Sequence, residues 1–190
     1  MNSNPSCRRA CVIWITGFSG AGKSSLAKRV TSRLDQIGLR PVLLDGDELR
    51  TAMVGLIPPD HAYERVTRLE LARTYSRLCQ LFTQQGHTVV VATVSLFHEI
   101  HFWNRAHLPR YIEIFLDTSI DDIHRRNFTY PENSAKESAS QVVGIDFEAE
   151  LPQSPDLRFT NHSLDQLDLI TSTICKHVYL KSQTALDANA

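Results

Sequence analysis

The chain has 190 residues, of which 42% are hydrophobic and 22% are charged, so it is long enough for one domain with a sizeable core. This composition excludes a disordered or fibrous protein. The 20 Lys and Arg residues are balanced by 21 Asp and Glu residues, and the net charge of -1 offers no general attraction to nucleic acid or to an anionic membrane.

The spacing of the cysteines and the length of the apolar runs indicate the cellular location of the protein. The four cysteines are scattered, without a C-x-x-C pair or a zinc-ribbon spacing. No apolar stretch reaches the roughly 18 residues that a membrane-spanning helix needs, and the run that follows Arg9 is too short for the core of a signal peptide. These features predict a cytoplasmic, reducing location.

The start of the chain predicts a strand, a glycine loop and a helix, in that order. Residues 1–9 are polar and aperiodic, which predicts a flexible tail. Residues 11–16 form a short apolar run that is typical of a strand buried on both faces. After Lys23 the apolar residues recur at helical spacing up to Gly38, a stop signal. Residues 41–45 then predict a second strand.

The rest of the chain continues this alternation. Further short apolar runs predict strands at 88–94, 111–116 and 157–160. Helices are predicted over about 64–85, over 120–126, and from a capping box at Ser163 and Gln166 onward. The polar segment at about 127–141 contains a proline and predicts a surface lid, and residues 181–190 predict a second flexible tail.

The order of these elements predicts the fold class. Parallel strands need a crossover connection, and short strands alternating with helices therefore imply a mainly parallel sheet. We expect a single α/β domain over residues 10–180. It has three layers, with a five-stranded sheet covered by helices on both faces.

Residues 17–24 read Gly-Phe-Ser-Gly-Ala-Gly-Lys-Ser and match the phosphate-binding pattern G-x-x-x-x-G-K-[ST] at every fixed position. Glycines let the backbone wrap closely around phosphate with its N–H groups aimed inward. A chance glycine-rich turn is the weaker alternative, because a buried strand precedes the loop and an amphipathic helix follows it. The pattern predicts that Lys23 reaches the β- and γ-phosphates of ATP and that the Ser24 hydroxyl binds Mg²⁺. The predicted ATP-binding residues are Gly17, Ser19, Gly20, Ala21, Gly22, Lys23, Ser24 and Ser25.

Polar side chains follow the second and third strands, at the sheet edge where open α/β sheets bind ligands. Asp45 and Asp47 flank Gly46 there. Both are catalytic candidates, because a carboxylate can hold Mg²⁺ through water or take a proton from an attacking hydroxyl, and Asp45 is a candidate metal ligand. A helix N-cap at Asp47 is the structural alternative. Ser95 occupies a second such edge position, and its alternative is an ordinary loop serine.

Three arginines are candidates for contacts with a second, anionic substrate. Arg50, Arg68 and Arg73 carry guanidinium groups, which bind phosphate or sulfate through paired hydrogen bonds. Taken singly, each is more often a solvated helix residue.

Together these segments resemble the adenylylsulfate (APS) kinase family over roughly residues 11–161. The phosphate-binding loop alone fits many NTPases, but the order and spacing of the later segments narrow the choice. The matching pieces are 15–24, Leu-Asp-Gly-Asp-Glu-Leu-Arg at 44–50, Glu-Ile-Phe-Leu-Asp at 113–117, Gly-Ile-Asp at 144–146, Pro152, and Pro-Asp-Leu at 155–157.

The resemblance implies a P-loop kinase that moves the γ-phosphoryl group of ATP to the ribose 3'-hydroxyl of an activated nucleotide. APS is the default acceptor, giving PAPS and ADP. Asp45 or Asp47 would act near the acceptor hydroxyl and Mg²⁺, and Ser95 matches a serine that can itself carry phosphate in the family. The implied acceptor-binding residues are Asp47, Arg50, Arg68, Phe97 and Ile145. The implied partners are a small nucleotide and, in a homodimer, a second copy of the chain.

The departures from the family pattern lie in the half of the site that binds the acceptor, and not in the half that binds ATP. Residues 94–98 read Val-Ser-Leu-Phe-His where the family has Ile-Ser-Pro-Tyr-Arg, Leu71 replaces an asparagine, and the lid has no lysine before Lys136. These changes also resemble a sister group that includes cytidine diphosphoramidate kinase, an enzyme of surface-polysaccharide modification, and this is the alternative acceptor class. Further alternatives are a small P-loop kinase for a sugar acid or nucleoside, and a nucleotide-binding protein without transfer activity.

Overall fold

The structure is a computed structural model that describes a large part of the chain. The described residues are 10–53, 55, 64–119, 121–123, 125, 149–160 and 166–187, with only the backbone of 181–187. The predicted tail at 1–9, the predicted lid at about 127–141, Ile145 and the predicted capping residue Ser163 lie outside them.

One parallel sheet organises the fold, with its strands in the order β2-β3-β1-β4-β5. The strands are β1 (Val12–Gly17), β2 (Val42–Asp45), β3 (Val89–Ala92), β4 (Tyr111–Asp117) and β5 (Leu157–Thr160). Every neighbouring pair runs parallel. The predicted α/β fold with a five-stranded, mainly parallel sheet is confirmed. The strand that leads into the phosphate-binding loop is its centre.

Helices cover both faces of this sheet. They are α1 (Lys23–Gln36), α2 (Gly46–Ala52), α3 (Arg65–Gln84), α4 (His98–His107) and α5 (Leu167–Asp187), and residues 121–123 and 125 are helical as well. The prediction omitted α2 and α4, and α5 continues past the boundary predicted at residue 180. No helix in the described ranges has the length and hydropathy that crossing a membrane requires.

The alternation of side chains along β1 divides the core into two halves. Ile13 and Ile15 pack with residues of α1 and α5 on one face. Val12 and Trp14 pack with residues of α3 and α4 on the other. Every residue of β1 is buried, so the loop that follows it starts from a fixed point.

Candidate active site

The phosphate-binding loop joins β1 to α1, and its shape depends on glycine. Gly17 has φ of 149°, and a Cβ at this position would come within 2.6 Å of the Leu116 carbonyl oxygen on the neighbouring strand. Gly22 is the N-cap of α1 in the left-handed conformation, with φ of 91°. Because glycine caps the helix without a side chain, no side chain at that position competes for the N–H groups of the first turn. Such groups bind phosphate at helix N-termini.

Lys23 lies buried at the start of α1. Its Nζ donates a hydrogen bond to the Phe18 carbonyl oxygen at 2.7 Å, so the ammonium group is folded back across the loop. Ser24 is half-buried and Ser25 is exposed in the same turn. The structure therefore brings the predicted ATP-binding side chains together around the loop, as their sequence spacing requires.

The two carboxylate oxygens of Asp45 have different surroundings. Its Oδ1 accepts a hydrogen bond from the Asp47 N–H at 2.9 Å and caps α2. The predicted alternative, an N-cap at Asp47, is thus wrong in its residue, because the cap is the aspartate two positions earlier. The Oδ2 of Asp45 is buried and has no hydrogen-bond partner among the described residues. An orphaned, buried carboxylate oxygen suits either a cation or a hydroxyl proton.

Strand register places Asp45 beside the phosphate-binding loop. Asp45 is opposite Ala92, and Ala92 is opposite Ile15, so the carboxyl ends of three adjacent strands meet at one edge. Asp45 and Ser24 both offer oxygen, the ligand atom that Mg²⁺ prefers. No group of three or more His, Cys, Asp or Glu side chains in the described ranges could hold a metal ion. A magnesium ion at this edge would therefore depend on phosphate oxygens for much of its coordination.

A second concave site adjoins this edge, and we call it the arginine pocket. It is a concavity that is partly open to solvent. The pocket is lined by Arg50, Arg65, Arg68, Leu71, Tyr75, Thr93, Val94, Ser95, Leu96 and Phe97. Its wall on the sheet side is the segment that follows β3, and its other walls come from α2 and α3.

Three of the five predicted acceptor-binding residues meet in this pocket. Arg50, Arg68 and Phe97 line it, together with the catalytic candidate Ser95. Asp47 is exposed and forms a short ion pair with Arg50. The structure thus groups side chains that the sequence places on three separate segments.

Arg73 does not share this environment. It pairs with Glu70 on its own helix and with Glu99 on α4, outside the pocket. The guanidinium pKa of Arg73 is raised, chiefly by its hydrogen bond to Glu99. The prediction that Arg73 contacts an anionic substrate has no support in the structure.

Sequence reasoning missed Arg65 and Tyr75. Arg65 precedes Arg68 by three residues on α3, and this spacing, which places both on one helix face, was the available signal. Tyr75 donates a hydrogen bond to the Gly46 carbonyl oxygen at 3.4 Å, and burial raises the pKa of its hydroxyl. No sequence pattern distinguished Tyr75 from an ordinary core residue.

Ser95 is buried in the pocket wall. Its hydroxyl oxygen lies 2.8 Å from that of Thr93, so the two hydroxyls share a hydrogen bond. The same segment is tied to the central strand, because the Thr16 hydroxyl donates to the Val94 carbonyl oxygen at 2.6 Å. Ser95 is therefore held between the loop strand and the arginine pocket.

Comparisons with known proteins identify the family and agree with the fold. Residues 9–160 match the family model described as adenylylsulphate kinase. The chain is 30% identical over 182 residues to cytidine diphosphoramidate kinase of Campylobacter jejuni, covering 95% of this chain and 100% of that protein. It is 33% identical over 153 residues to adenylyl-sulfate kinase of Burkholderia ambifaria, covering 79% and 82% respectively. A solved structure of the Mycobacterium tuberculosis APS kinase CysC in complex with AMPPNP and APS matches with a TM-score of 0.73 at 29% identity, covering 88% of this chain and 96% of that one.

Proposed function

The chain belongs to the adenylylsulphate kinase family, and we propose that it transfers the γ-phosphoryl group of ATP to the ribose 3'-hydroxyl of an activated nucleotide held in the arginine pocket. Membership of this family makes it a phosphotransferase. One observation supports the assignment of the two substrates. A complete phosphate-binding loop and a pocket lined by three arginines adjoin the same edge of one parallel sheet.

The phosphate-binding loop would hold ATP. Phosphoryl transfer needs little covalent help, so positioning and charge neutralisation supply most of the acceleration. Lys23 would exchange the Phe18 carbonyl oxygen for oxygens of the β- and γ-phosphates. Mg²⁺, when bound, neutralises charge on the phosphate oxygens. The Ser24 hydroxyl would hold it directly and Asp45 would hold it through water, so that the buried Oδ2 can still accept a proton.

Of the two aspartates, Asp45 is the better candidate for the base that takes the proton of the acceptor hydroxyl. Its Oδ2 is buried and without a partner among the described residues, whereas Asp47 is exposed and engaged with Arg50. A carboxylate with an unused acceptor position can orient the hydroxyl and take its proton as the phosphorus bond forms. Asp47 would instead position Arg50 in the pocket. That Ser95 itself carries phosphate stays a prediction.

The acceptor has two candidates. APS follows from the family as a whole and from the APS kinase relatives. Cytidine diphosphoramidate is favoured by a specific observation, since the similarity to the Campylobacter jejuni kinase extends over that protein's whole length. Leu71 and Leu96 line the pocket at positions where the sequence departs from the APS kinase pattern. An apolar wall there would alter the contacts available to the base.

Turnover with a panel of acceptors tests the proposal. The purified chain with ATP and Mg²⁺ would be incubated with APS, cytidine diphosphoramidate, a sugar acid and a nucleoside, and ADP release and the phosphorylated product would be measured. We expect one of the two nucleotides to be converted at its 3'-hydroxyl. ATP binding without transfer to any acceptor would support the non-catalytic alternative. Conversion of the sugar acid or nucleoside alone would support a different small kinase.

Lys23→Ala is the matched variant for this assay. Removing a group that stabilises transferring phosphate typically costs about 10²–10³-fold in turnover. The fold should persist, which thermal unfolding would check. A Lys23→Ala enzyme with full turnover would contradict the role of the loop.

Two further expectations concern the state of the protein in the cell. The homodimer and the cytoplasmic location stay predictions. Light scattering on the purified chain would measure its mass in solution, and fractionation of the source cells would locate it.

A further inference from the structure

We propose that Arg65 is a specificity-determining residue of the arginine pocket that binds the anionic group of the nucleotide acceptor, and that Glu150 is its positioning residue. This inference rests on the proposed function, because it adds two residues to the acceptor half of that site. Neither residue was predicted from the sequence.

Arg65 is placed to meet an anion. It is the first residue of α3 and lines the pocket with Arg50 and Arg68. Its guanidinium carbon lies 5.3 Å from the centroid of the Phe97 ring, and its side chain is 47% exposed. One nitrogen, Nη2, donates to Glu150. A guanidinium group has five N–H donors, so others remain for a phosphate or sulfate oxygen.

Glu150 connects two walls of the pocket. Its Oε1 accepts from Arg65 Nη2 at 2.5 Å, and its Oε2 accepts from the His98 N–H at 2.7 Å. Its own N–H donates to the Leu96 carbonyl oxygen at 3.2 Å. One residue thus fixes the start of α3 against the turn that carries Phe97.

The bonds of Glu150 favour its charged form. Its carboxyl pKa is lowered from the ordinary 4.5, first by the His98 N–H and then by the hydrogen bond from Arg65. The carboxylate therefore keeps its charge at neutral pH. A charged partner holds the guanidinium in a defined place, which is what selective contact with an anion requires.

An ion pair made only for stability is a poor account of Arg65. Apart from the N-cap Glu64, no acidic residue of α3 lies at its start, and the helix dipole disfavours positive charge there. Arg65 and Arg68 nevertheless both occupy the first turn. Arg73, farther along the same helix, shows the ordinary arrangement, with two carboxylate partners and no place in the pocket.

The sequence gives a reason for this chain to need a cation at that place. Residues 127–135, which lie outside the described residues, contain no Lys or Arg. Arg65 supplies a positive charge from α3. An acceptor with a phosphate-linked anionic group would be selected over an uncharged nucleoside.

The experiment compares Arg65→Ala, Arg65→Lys and Glu150→Gln with Arg73→Ala as the matched control on the same helix. Calorimetry would give the Kd of APS and of cytidine diphosphoramidate with ADP present, at two salt concentrations. Losing a charge-assisted hydrogen bond should weaken binding about 10- to 100-fold in Arg65→Ala. Arg65→Lys should recover part of this loss and Glu150→Gln should show a smaller one. The control should stay within about twofold, as expected for an exposed pair outside the pocket.

Two readouts separate direct contact from a structural role. The Kd of the wild-type protein should rise with salt more steeply than that of Arg65→Ala, because only the former uses this charge. The KM for ATP should be the same in Arg65→Ala as in the wild-type protein. Binding by Arg65→Ala that equals wild type, or a salt dependence that is unchanged, would overturn the proposal.

Failure of the proposed function would look different. If the wild-type protein binds a probe without phosphorylating it, the transfer reaction is refuted, while the Kd series still tests Arg65. If the wild-type protein binds neither anionic probe, the Arg65 proposal is wrong. If it phosphorylates an acceptor with a KM that Arg65→Ala leaves unchanged, only the Arg65 proposal falls.

Discussion

Replacing Asp45 separates its structural role from its proposed chemical role. In Asp45→Asn the side-chain carbonyl oxygen can still accept the hydrogen bond that Asp47 donates at 2.9 Å, so α2 keeps its N-cap. The negative charge at the buried Oδ2 is lost. In Asp45→Ala both the cap and the charge are lost. The two variants therefore differ in stability and agree in activity if both roles are real.

The expected sizes of the two effects are well separated. Replacing an N-cap aspartate by alanine costs about 1 kcal/mol of folding free energy, and in a domain of this size that lowers Tm by about 2–4 °C. Asp45→Asn should match or exceed the wild-type Tm, because it keeps the cap and replaces a carboxylate whose buried Oδ2 has no hydrogen-bond partner among the described residues. Loss of a general base lowers turnover by about 10²–10⁴-fold, equivalent to about 2.7–5.5 kcal/mol in the barrier.

Thermal unfolding and ADP release at saturating substrates measure these effects in parallel. Glu48→Gln is the control, since Glu48 is an acidic residue of the same helix turn that is exposed and lies 4.0 Å from Lys28. It should keep both Tm and turnover. Full turnover by Asp45→Asn would refute the chemical role, and an unchanged Tm for Asp45→Ala would refute the cap.

The remaining predictions concern the loop and the pocket wall. Gly17→Ala should lower Tm more than Gly38→Ala, because its Cβ would approach the Leu116 carbonyl oxygen to 2.6 Å, whereas Gly38 has a positive φ and open space around it. For Gly38→Ala we expect backbone strain to lower the free energy of unfolding by about 1–2 kcal/mol. For Gly17→Ala we expect overpacking to lower it by about 1–3 kcal/mol more. Equal Tm values for the two variants would show that the loop relaxes freely. Glu150→Gln should be less stable than wild type above the unfolded carboxyl pKa of 4.5. Because the folded pKa is lower, this difference should shrink as pH falls through it, and a difference that stays constant between neutral and acid pH would contradict the charged contacts.

The elements that sequence predicted are those whose signals are local. The strand β1 is buried on both faces and reads as a continuous apolar run, and α3 has a long apolar stripe. The helix α4 gave no such signal, because its buried residues are Ile100, His101 and Asn104, of which only one is apolar. The short helix α2 begins at a cap whose residue is recognised only when Asp45 is seen accepting from Asp47.

The same distinction applies to the site. The phosphate-binding loop is contiguous, so a single pattern covers residues 17–24. The arginine pocket draws on segments that are far apart. Residue chemistry and position singled out Arg50, Arg68 and Ser95 without joining them, and the resemblance added Phe97. Glu150 lies 85 residues from Arg65 and 52 from His98 along the chain. No periodicity or spacing could have joined these residues.

The contacts of β1 explain how the acceptor half can diverge while the transfer geometry is kept. The Thr16 hydroxyl donates to the Val94 carbonyl oxygen at 2.6 Å, which ties the strand before the loop directly to the pocket wall. The strand register adds a second connection, because Asp45 is opposite Ala92 and Ala92 is opposite Ile15 on the neighbouring strands. Donor loop, carboxylate and pocket wall are therefore fixed relative to one another by buried backbone. Arg65 projects from the first turn of α3 and is half exposed, outside that frame. Under the proposed function, a substitution there would change which nucleotide binds without moving the groups that transfer the phosphoryl group.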